Sequence, residues 1–327
     1  MTDRVVTGNL TTPDREQEAQ LRPQNFSEFI GQKKVVDNID LMVKSALVRK
    51  TGMDHVLLSG PPGLGKTSLA MLIAKSLGSE LHLVSGPAIE KKGDLAAVLT
   101  NLKPRDVLFI DEIHRLHITV EELLYSAMED FRLDILIGQG ASARTMQIDL
   151  SSFTLIGATT RSGLLSNPLR DRFMAHLNFD YYEPDMIAII IMNNAKKMGI
   201  ELSVDAKNQI ARRSRGTPRI ANRILRRVRD FALVSGTHKV ETKEVTAALN
   251  LLDIDDLGLD SMDRKILTVM KSYYSGGPVG IDALSATLGE DKQTIEEVYE
   301  PYLLKQGLIL RTPRGRVLSE QAILHIQ

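Results

Sequence analysis

The chain of 327 residues contains no cysteine and no tryptophan, and only 5% of its residues are aromatic. The absence of cysteine excludes disulfide bonds, thiolate metal sites and a cysteine nucleophile. It also fits a reducing compartment, so we expect a cytoplasmic protein.

Net charge and long apolar runs are absent as well. The 41 basic residues equal the 41 acidic residues, so any contact with nucleic acid needs a local basic patch. No stretch approaches the ~20 apolar residues of a membrane-spanning helix, and Met1–Thr12 holds no apolar signal core. We therefore expect no membrane association. The length indicates two or three domains.

The first half of the chain alternates short apolar runs with longer amphipathic stretches. The runs that we assign to strands are Val56–Leu58, Leu81–Val84, Val107–Ile110 and Phe153–Ile156. This alternation predicts an α/β fold in which helices cover both faces of a parallel sheet. Leu133–Leu150 differs, because apolar residues alternate with polar ones on either side of Gly138-Gln139-Gly140. That pattern predicts a β-hairpin.

From Pro184 onward the pattern is helical. We predict helices at Met186–Met198, Val204–Arg215, Pro218–Val234 and Thr242–Leu252. After the acidic stretch Asp253–Asp260 come three more helices and two short strands, the arrangement of a winged helix. These helices are Ser261–Lys271, Gly280–Leu288 and Asp291–Gln306, and the strands are Leu308–Arg311 and Arg316–Leu318. The predicted division is a flexible N-terminal arm (1–20), a large α/β domain (21–183), a small helical domain that we call the lid (184–254) and a winged-helix domain (255–327).

The segment Gly60–Thr67, Gly-Pro-Pro-Gly-Leu-Gly-Lys-Thr, is a complete phosphate-binding loop between a strand and a helix. Glycines such as Gly63 and Gly65 let backbone N–H groups turn toward a triphosphate, and the helix N-terminus favours negative charge. Lys66 would bridge the β and γ phosphates of ATP, and the Thr67 hydroxyl would bind Mg²⁺. The alternative, a chance glycine-rich turn, does not account for the strand, loop and helix in this order.

Two acidic residues, Asp111 and Glu112, follow the strand Val107–Ile110. The carboxyl ends of parallel strands face the phosphates in this type of fold, so Asp111 can hold Mg²⁺ through water. Glu112 can then act as the general base on the attacking water. A pair of acids at a strand end is common in itself. It indicates a nucleotide site here because a phosphate loop precedes it in the chain.

Three further polar positions occur in the order expected of an ATP-driven motor. Thr159-Thr160 ends the next strand, where Thr160 can sense the γ-phosphate. Leu169-Arg170-Asp171-Arg172 can reach the nucleotide of a neighbouring subunit as an arginine finger. Arg219 begins a lid helix and can contact phosphate within the same subunit. Any one of these arginines alone would more often form a surface salt bridge.

From Leu21 to Gln327 the sequence resembles the AAA+ superfamily and, more narrowly, the RuvB family of Holliday-junction branch-migration ATPases. The stretches that carry the resemblance are Leu21-Arg22-Pro23, Gly60–Thr67, Ser85–Glu90, Gly93–Ala97, Asp111–Leu116, Gly157–Arg161, Gly216–Ala221 and Arg311–Arg316. The phosphate loop alone is shared by thousands of proteins, but the combination is specific.

The resemblance implies roles for further residues around the nucleotide. Leu21 and Arg22 would border the adenine, Tyr182 and Arg219 would close over the nucleotide, and Ser68 would replace the threonine that often follows the loop. Arg172 would be the finger acting in trans, with Arg170 the less favoured candidate. Further nucleotide contacts would come from Glu129, Asp130 and Phe131.

The resemblance also implies a function and partners. The chain would form a hexameric ring that moves duplex DNA of a Holliday junction, in recombination and repair, with the partners RuvA and RuvC. The hairpin Leu133–Leu150 would dock RuvA; an ordinary sheet edge explains its pattern equally well. Two other functions remain open: a clamp-loader-type switch, for which we would expect a collar domain in place of a winged helix, and an ATP-timed regulator that binds DNA or protein statically.

The C-terminal winged helix suggests contact with DNA, although such domains also bind proteins. Its turn is rich in arginine, with Arg311, Arg314 and Arg316 around Pro313 and Gly315. Lys292, at the start of the third helix, is a weaker candidate. That helix also carries Glu296, Glu297 and Glu300, which makes it unsuited to a major groove, and Pro301 should bend it. We therefore expect the wing to contact the phosphate backbone without reading sequence.

Overall fold

The structure, a computed structural model, describes residues 20–137 and 144–326. The arm predicted over residues 1–20 therefore lies, except for Gln20, outside the described residues. The glycine-containing turn of the predicted hairpin, residues 138–140, lies outside them too. Within the described part of the chain, no helix is long and apolar enough to cross a membrane.

The large domain begins with a short 3-10 turn at Phe26–Glu28. Its further elements are, in chain order, α1 (Lys33–Arg49), β1 (Val56–Ser59), α2 (Lys66–Leu77), β2 (Leu81–Ser85), α3 (Lys92–Thr100), β3 (Val107–Asp111), α4 (Ile118–Asp130), β4 (Arg132–Ile137), β5 (Arg144–Asp149), β6 (Thr154–Thr159), α5 (Asn167–Asp171) and β7 (Ala175–Asn178). Five strands form a sheet in the order β2, β3, β6, β1, β7, and every neighbouring pair is parallel.

Helices cover both faces of this sheet, as predicted. Successive residues of a strand point to opposite faces. Leu58 joins a core formed with α1 and α2, whereas its neighbour Leu57 joins a second core formed with α3 and α4. Strand β1 is therefore buried at every position, which is why it reads as a continuous apolar run.

The edge strand β7 was not predicted. It pairs with β1, with Val56 opposite Ala175 and Ser59 opposite Asn178. Its side chains are half-buried or exposed, and His176 and Asn178 interrupt any apolar run. Without such a run, β7 lacks the apolar signal that identified the other four strands, including β2 at the opposite edge of the sheet.

The predicted hairpin is formed by β4 and β5, which pair antiparallel from Arg132 opposite Asp149 to Ile137 opposite Arg144. Leu133 is fully buried at its base, and Ile148, the residue opposite, packs against the same core. Met146, farther along the same face, is exposed.

The lid consists of α6 (Pro184–Lys197), β8 (Glu201–Leu202), α7 (Val204–Arg213), α8 (Pro218–Val234), β9 (Lys239–Val240) and α9 (Thr242–Leu251). Its helices bury apolar residues spaced four apart, such as Ile187 and Ile191 in α6 and Ile224 and Val228 in α8. These residues join the same core as α1 and α2, so the lid packs on one face of the sheet domain.

The C-terminal domain is a winged helix with its own core, as predicted. It contains α10 (Ser261–Tyr274), α11 (Ile281–Leu288), α12, β10 (Ile309–Thr312), β11 (Gly315–Leu318) and α13 (Glu320–His325). Helix α12 runs as Lys292–Thr294, a π-helical segment Ile295–Tyr299 and Glu300–Lys305. The π-helical segment ends just before Pro301, which has no N–H to continue the helical hydrogen bonds. The predicted irregularity is therefore present.

Contacts between the winged helix and the rest of the described chain include three that involve buried or half-buried groups. The buried Arg215 of the lid region forms ion pairs with Asp263 and Asp260 and donates from Nε to the Gly258 carbonyl at 2.8 Å. The Lys305 ammonium lies 4.3 Å from the centre of the Tyr181 ring. The third contact is made by Arg161, at the carboxyl end of β6, with Glu296 and Glu297 of α12.

Candidate active site

A cleft of about 650 Å³ lies between the carboxyl ends of the strands and the lid. The loop between β1 and α2 forms its floor. Gly60 and Gly63 adopt φ of 133° and 80°, which favours glycine. A Cβ on Gly60 would lie 2.4 Å from the Phe179 carbonyl oxygen, and one on Gly63 would lie 2.9 Å from Arg219 Cβ. The tight backbone path and the close approach of the lid therefore require glycine here.

Lys66 is buried at the start of α2. Its ammonium donates to the carbonyl oxygens of Gly60 at 2.7 Å and Pro61 at 2.9 Å. Burial lowers the pKa of Lys66 to about 8, although the nearby Asp111 and Glu112 carboxylates oppose this effect. A desolvated cation that is held only by neutral carbonyls suits an incoming anion. Thr67, Ser68 and Gly65 line the cleft beside it, as predicted.

The two predicted carboxylates, Asp111 and Glu112, also line the cleft. Asp111 ends β3 and accepts a hydrogen bond from the Glu112 N–H at 3.0 Å. Burial raises the pKa of Glu112, and the charges of Asp111 and of Glu297 from the winged helix raise it further. The hydroxyl of Thr160, at the end of β6, donates to Glu112 Oε2 at 3.4 Å. The structure thus brings the predicted base and the predicted sensor together.

His114 joins this group, although the sequence analysis did not single it out. Its Nδ1 lies 3.0 Å from the Thr159 hydroxyl and 3.4 Å from Glu112 Oε2. Burial lowers the pKa of His114, which favours the neutral ring. No spacing rule could have identified it, because Thr159 lies 45 residues away in the chain.

The rest of the cleft lining combines apolar side chains with polar ones, which suits a nucleoside base. Leu21 and Arg22 lie here, and Tyr182 donates its hydroxyl to the Leu64 carbonyl at 3.1 Å. Arg219, in the first turn of α8, lines the cleft, and its N–H donates to the Gly63 carbonyl at 3.3 Å. The sequence analysis missed several residues of this wall, namely Phe29, Ile30, Ile190, Asn193, Asn194 and Asn222.

Asn194 and Asn222 are a notable omission from the sequence-based site. Asn194 is buried in α6 and donates to the Asn222 amide oxygen of α8 at 2.8 Å. An asparagine within the apolar periodicity of α6 was the only available signal.

Four predicted nucleotide contacts, Arg172, Glu129, Asp130 and Phe131, do not line this cleft. Arg172 donates to the Tyr125 hydroxyl at 2.5 Å and pairs with Glu129 at 2.7 Å, with its guanidinium 4.6 Å from the Tyr125 ring centre. We call Arg172, Tyr125 and Glu129 the finger cluster. Phe131 instead packs edge-on against Phe153, with ring centres 5.7 Å apart.

The four predicted DNA-binding residues lie in the winged helix in different environments. Arg316 is mostly buried and donates to Glu300 and Glu296. Arg311 donates to both carboxylate oxygens of Glu300, at 2.9 and 2.8 Å. Arg314 is exposed at the turn between the wing strands. Lys292 is exposed and pairs with Asp282 at 2.8 Å.

A five-stranded parallel sheet, a complete phosphate-binding loop, paired carboxylates at the end of β3 and a lid arginine define a P-loop ATPase of the AAA+ class. Family models match almost all of the chain: the Holliday junction DNA helicase RuvB P-loop domain over residues 21–179, the RuvB AAA lid domain over 182–255 and the RuvB C-terminal winged helix domain over 256–327. The chain belongs to the RuvB family of Holliday-junction branch-migration ATPases.

Individual relatives agree with this assignment. The chain is 52% identical over 326 residues to the Holliday junction branch migration complex subunit RuvB of Paramagnetospirillum magneticum, covering 100% of this chain and 93% of that protein. The solved structure of the Thermotoga maritima RuvB Holliday junction branch migration motor superposes with a TM-score of 0.87 at 50% identity, covering 94% of this chain and 98% of that one. A single-substitution variant of the same motor gives a TM-score of 0.88.

Proposed function

We propose that this chain works as a hexameric ring that drives branch migration on the duplex arms of a Holliday junction, together with RuvA and RuvC. The observation that carries the proposal is the position of Arg172. It lies in the finger cluster and not in the cleft of its own chain. Hydrolysis then requires an arginine from a neighbour, and head-to-tail contacts of this kind close into a ring.

Each residue of the cleft has a distinct part in hydrolysis. Lys66 and the loop N–H groups hold the β and γ phosphates, and Arg219 contacts phosphate from the lid. Glu112 takes the proton of the attacking water, and Thr160 keeps Glu112 oriented. Thr67 and Asp111 provide hydroxyl and carboxylate oxygens, the ligands that Mg²⁺ prefers. Mg²⁺ held there would neutralise charge on the phosphates.

In the proposed ring, Glu129, Asp130 and Phe131 approach the nucleotide of the adjacent subunit together with Arg172. We also propose the domain division 21–183, 184–254 and 255–327. The winged helix supports a DNA motor over a clamp-loader-type switch, because a collar domain would occupy this place in a clamp loader.

The ring function can be tested with a synthetic four-way DNA junction. Purified chain, ATP, Mg²⁺ and RuvA should convert the junction into two duplexes, as measured by gel electrophoresis. A non-hydrolysable ATP analogue should leave the junction intact. A static ATP-timed regulator would bind the junction and hydrolyse ATP without separating its arms, and that result would contradict the proposal.

The wing provides a second testable prediction. Arg314→Ala should weaken binding to linear duplex and lower the slope of log affinity against log salt by about 1, because one phosphate contact is lost. The unfolding temperature of the Arg314→Ala variant should stay unchanged, since Arg314 is exposed. Binding is measured by fluorescence anisotropy at several salt concentrations.

Arg316→Ala serves as the contrasting variant. It should lower the unfolding temperature, because the carboxylate of Glu300 is almost fully buried and loses one of its two arginine partners. An unchanged salt slope in Arg314→Ala would contradict a phosphate contact by that residue.

The exposed face of the hairpin provides a third prediction. Leu133, Ile148 and Met146 continue one apolar row from the core to the surface. Met146→Glu should weaken RuvA binding about tenfold or more, since a charge replaces an apolar contact at the proposed interface. The ATPase rate without RuvA should not change.

Gln147→Lys is the control, because it adds a charge on the opposite face of β5, where Asp134 lies across from it. Titration calorimetry with RuvA gives both affinities. Equal weakening by the two substitutions, or no weakening by either, would contradict docking through the apolar face.

A further inference from the structure

Arg161 connects the carboxyl end of the central strand β6 to the winged helix. It directly follows Thr160, and its side chain reaches α12, where Nη2 lies 3.1 Å from Glu296 Oε2 and Nε lies 3.0 Å from Glu297 Oε1. The two carboxylates are only 23% and 18% exposed. Ion pairs shielded from water in this way are stronger than ordinary surface pairs. The contact therefore ties α12 to the end of β6.

On the ATPase side, Arg161 directly follows Thr159 and Thr160 in the chain. Its N–H donates to the Thr159 hydroxyl at 2.9 Å, and that hydroxyl is also shared with His114. The preceding residue, Thr160, contacts Glu112. Arg161 itself does not line the nucleotide cleft. A displacement of the Arg161 side chain would thus shift Thr160 and Glu112, and no contact to nucleotide would be lost.

On the DNA side, one of these carboxylates, Glu296, also binds the wing. Glu296 accepts from Arg161 through one oxygen and from Arg316 through the other, at 3.2 Å. Arg316 also shares Glu300 with Arg311. A DNA phosphate that attracts Arg316 competes with Glu296 for that arginine, and it leaves Glu296 to Arg161 alone.

The part of α12 that carries these carboxylates is suited to such a change. Glu296 and Glu297 lie in the π-helical segment Ile295–Tyr299, where the helix departs from regular geometry. Segments of this kind are frequent at functional sites and can shift their hydrogen bonding locally. Glu297 in addition contributes its charge to the surroundings of Glu112.

We propose that Arg161 is a positioning residue that couples the engagement of the wing with duplex phosphates to the placement of Thr160 and Glu112 in the same subunit. The proposal rests on the DNA-motor function proposed above. It makes Arg161, Glu296 and Arg316 a continuous connection between the DNA-binding surface and the catalytic base. Duplex DNA then accelerates hydrolysis through kcat, and ATP affinity changes little.

The test compares hydrolysis by the full chain with and without saturating linear duplex, measuring kcat and KM for ATP. The parent chain should be accelerated by about fivefold or more, an ordinary size for coupling between two sites. Arg161→Ala and Glu297→Gln should reduce this acceleration to about twofold or less, with KM unchanged within about twofold. Arg161→Lys, which keeps the charge but not both hydrogen bonds, should give an intermediate value.

Glu320→Gln is the matched control, because it removes a carboxylate from an exposed site on the same domain. It should retain the full acceleration. Duplex affinity is measured for every variant by anisotropy, and folding by thermal unfolding. Glu297→Gln leaves the wing arginines and their partner Glu300 in place, so its duplex affinity should match the parent.

Three results in the variants would overturn the coupling. The first is full acceleration in folded Arg161→Ala and Glu297→Gln. The second is a tenfold or larger rise in KM, which would make Arg161 a nucleotide-binding residue. The third is loss of duplex binding in both variants, which would make the contact a support for the wing alone. A parent chain that hydrolyses ATP at the same rate with and without duplex would also overturn it. Failure of the parent to separate a four-way junction, with acceleration by duplex intact, would instead contradict the proposed branch migration and leave the coupling standing.

Discussion

Replacing Glu112 with glutamine is expected to lower kcat for ATP hydrolysis by about 10²–10⁴-fold, the usual contribution of a general base. Glutamine has nearly the same shape and can still accept a hydrogen bond from Thr160 through its amide oxygen. It cannot take a proton from water. The phosphate contacts of Lys66 and the loop are unaffected, so ATP should bind with nearly unchanged affinity.

Two measurements separate these effects. Steady-state phosphate release gives kcat, and equilibrium titration with a fluorescent ATP analogue gives affinity. Glu122→Gln is a suitable control, because Glu122 is an exposed carboxylate on α4 and does not line the cleft. Hydrolysis by Glu112→Gln within about tenfold of the parent would show that another group takes the proton, since loss of the base costs more than this.

The second large effect is expected from Arg172→Ala. Removing an arginine finger lowers kcat by about 10³–10⁵-fold, because its charge stabilises the transition state and contributes little to the bound nucleotide. Arg172 lies outside the cleft of its own chain, so ATP affinity should be retained. Arg170→Ala is the comparison variant. Arg170 lies two residues away and donates to Asn167 at 3.1 Å, and we expect it to retain most of the activity.

A mixing experiment shows whether the arginine acts in trans. Lys66→Ala chains lack a functional phosphate site but still carry Arg172, and Arg172→Ala chains have the opposite defect. Mixed rings contain sites in which an intact Lys66 faces an intact Arg172 from the neighbour. Activity should therefore reappear when the two inactive proteins are mixed, and its dependence on the mixing ratio gives the fraction of rebuilt sites.

Two outcomes would contradict the assignment. Full hydrolysis by Arg172→Ala would exclude it as the finger. An inactive mixture, with both variants shown by light scattering to enter the same rings, would place the arginine in cis.

Local sequence signals located the phosphate-binding side of the cleft. The helix Pro218–Val234 was predicted with the bounds that the structure has, and a helix directly after the phosphate loop was predicted where the structure has Lys66–Leu77. Their signals are strong because each begins at a chemical landmark, the phosphate loop in one case and a proline in the first turn in the other. The carboxylates Asp111 and Glu112 were identified in the same way, since they directly follow a buried strand.

Elements without such a signal were missed. Strand β7 has no apolar run because His176 and Asn178 alternate with its apolar residues. The buried Asn194, which donates to Asn222, and the neutral His114 depend on partners from other elements. Nothing in a local pattern distinguishes these side chains from ordinary polar residues.

The amino-acid sequence by itself determined that this protein is a P-loop ATPase with a lid and a winged helix, because each of these units is encoded by contiguous periodicity and loop chemistry. Only the tertiary structure decided what the charges of the winged helix do. The acidic residues that made α12 unsuited to a DNA groove are the partners of Arg161, Arg311 and Arg316. Arg161 and Glu296 are 135 residues apart, and the pairing of charges over that distance is set by how the domains pack.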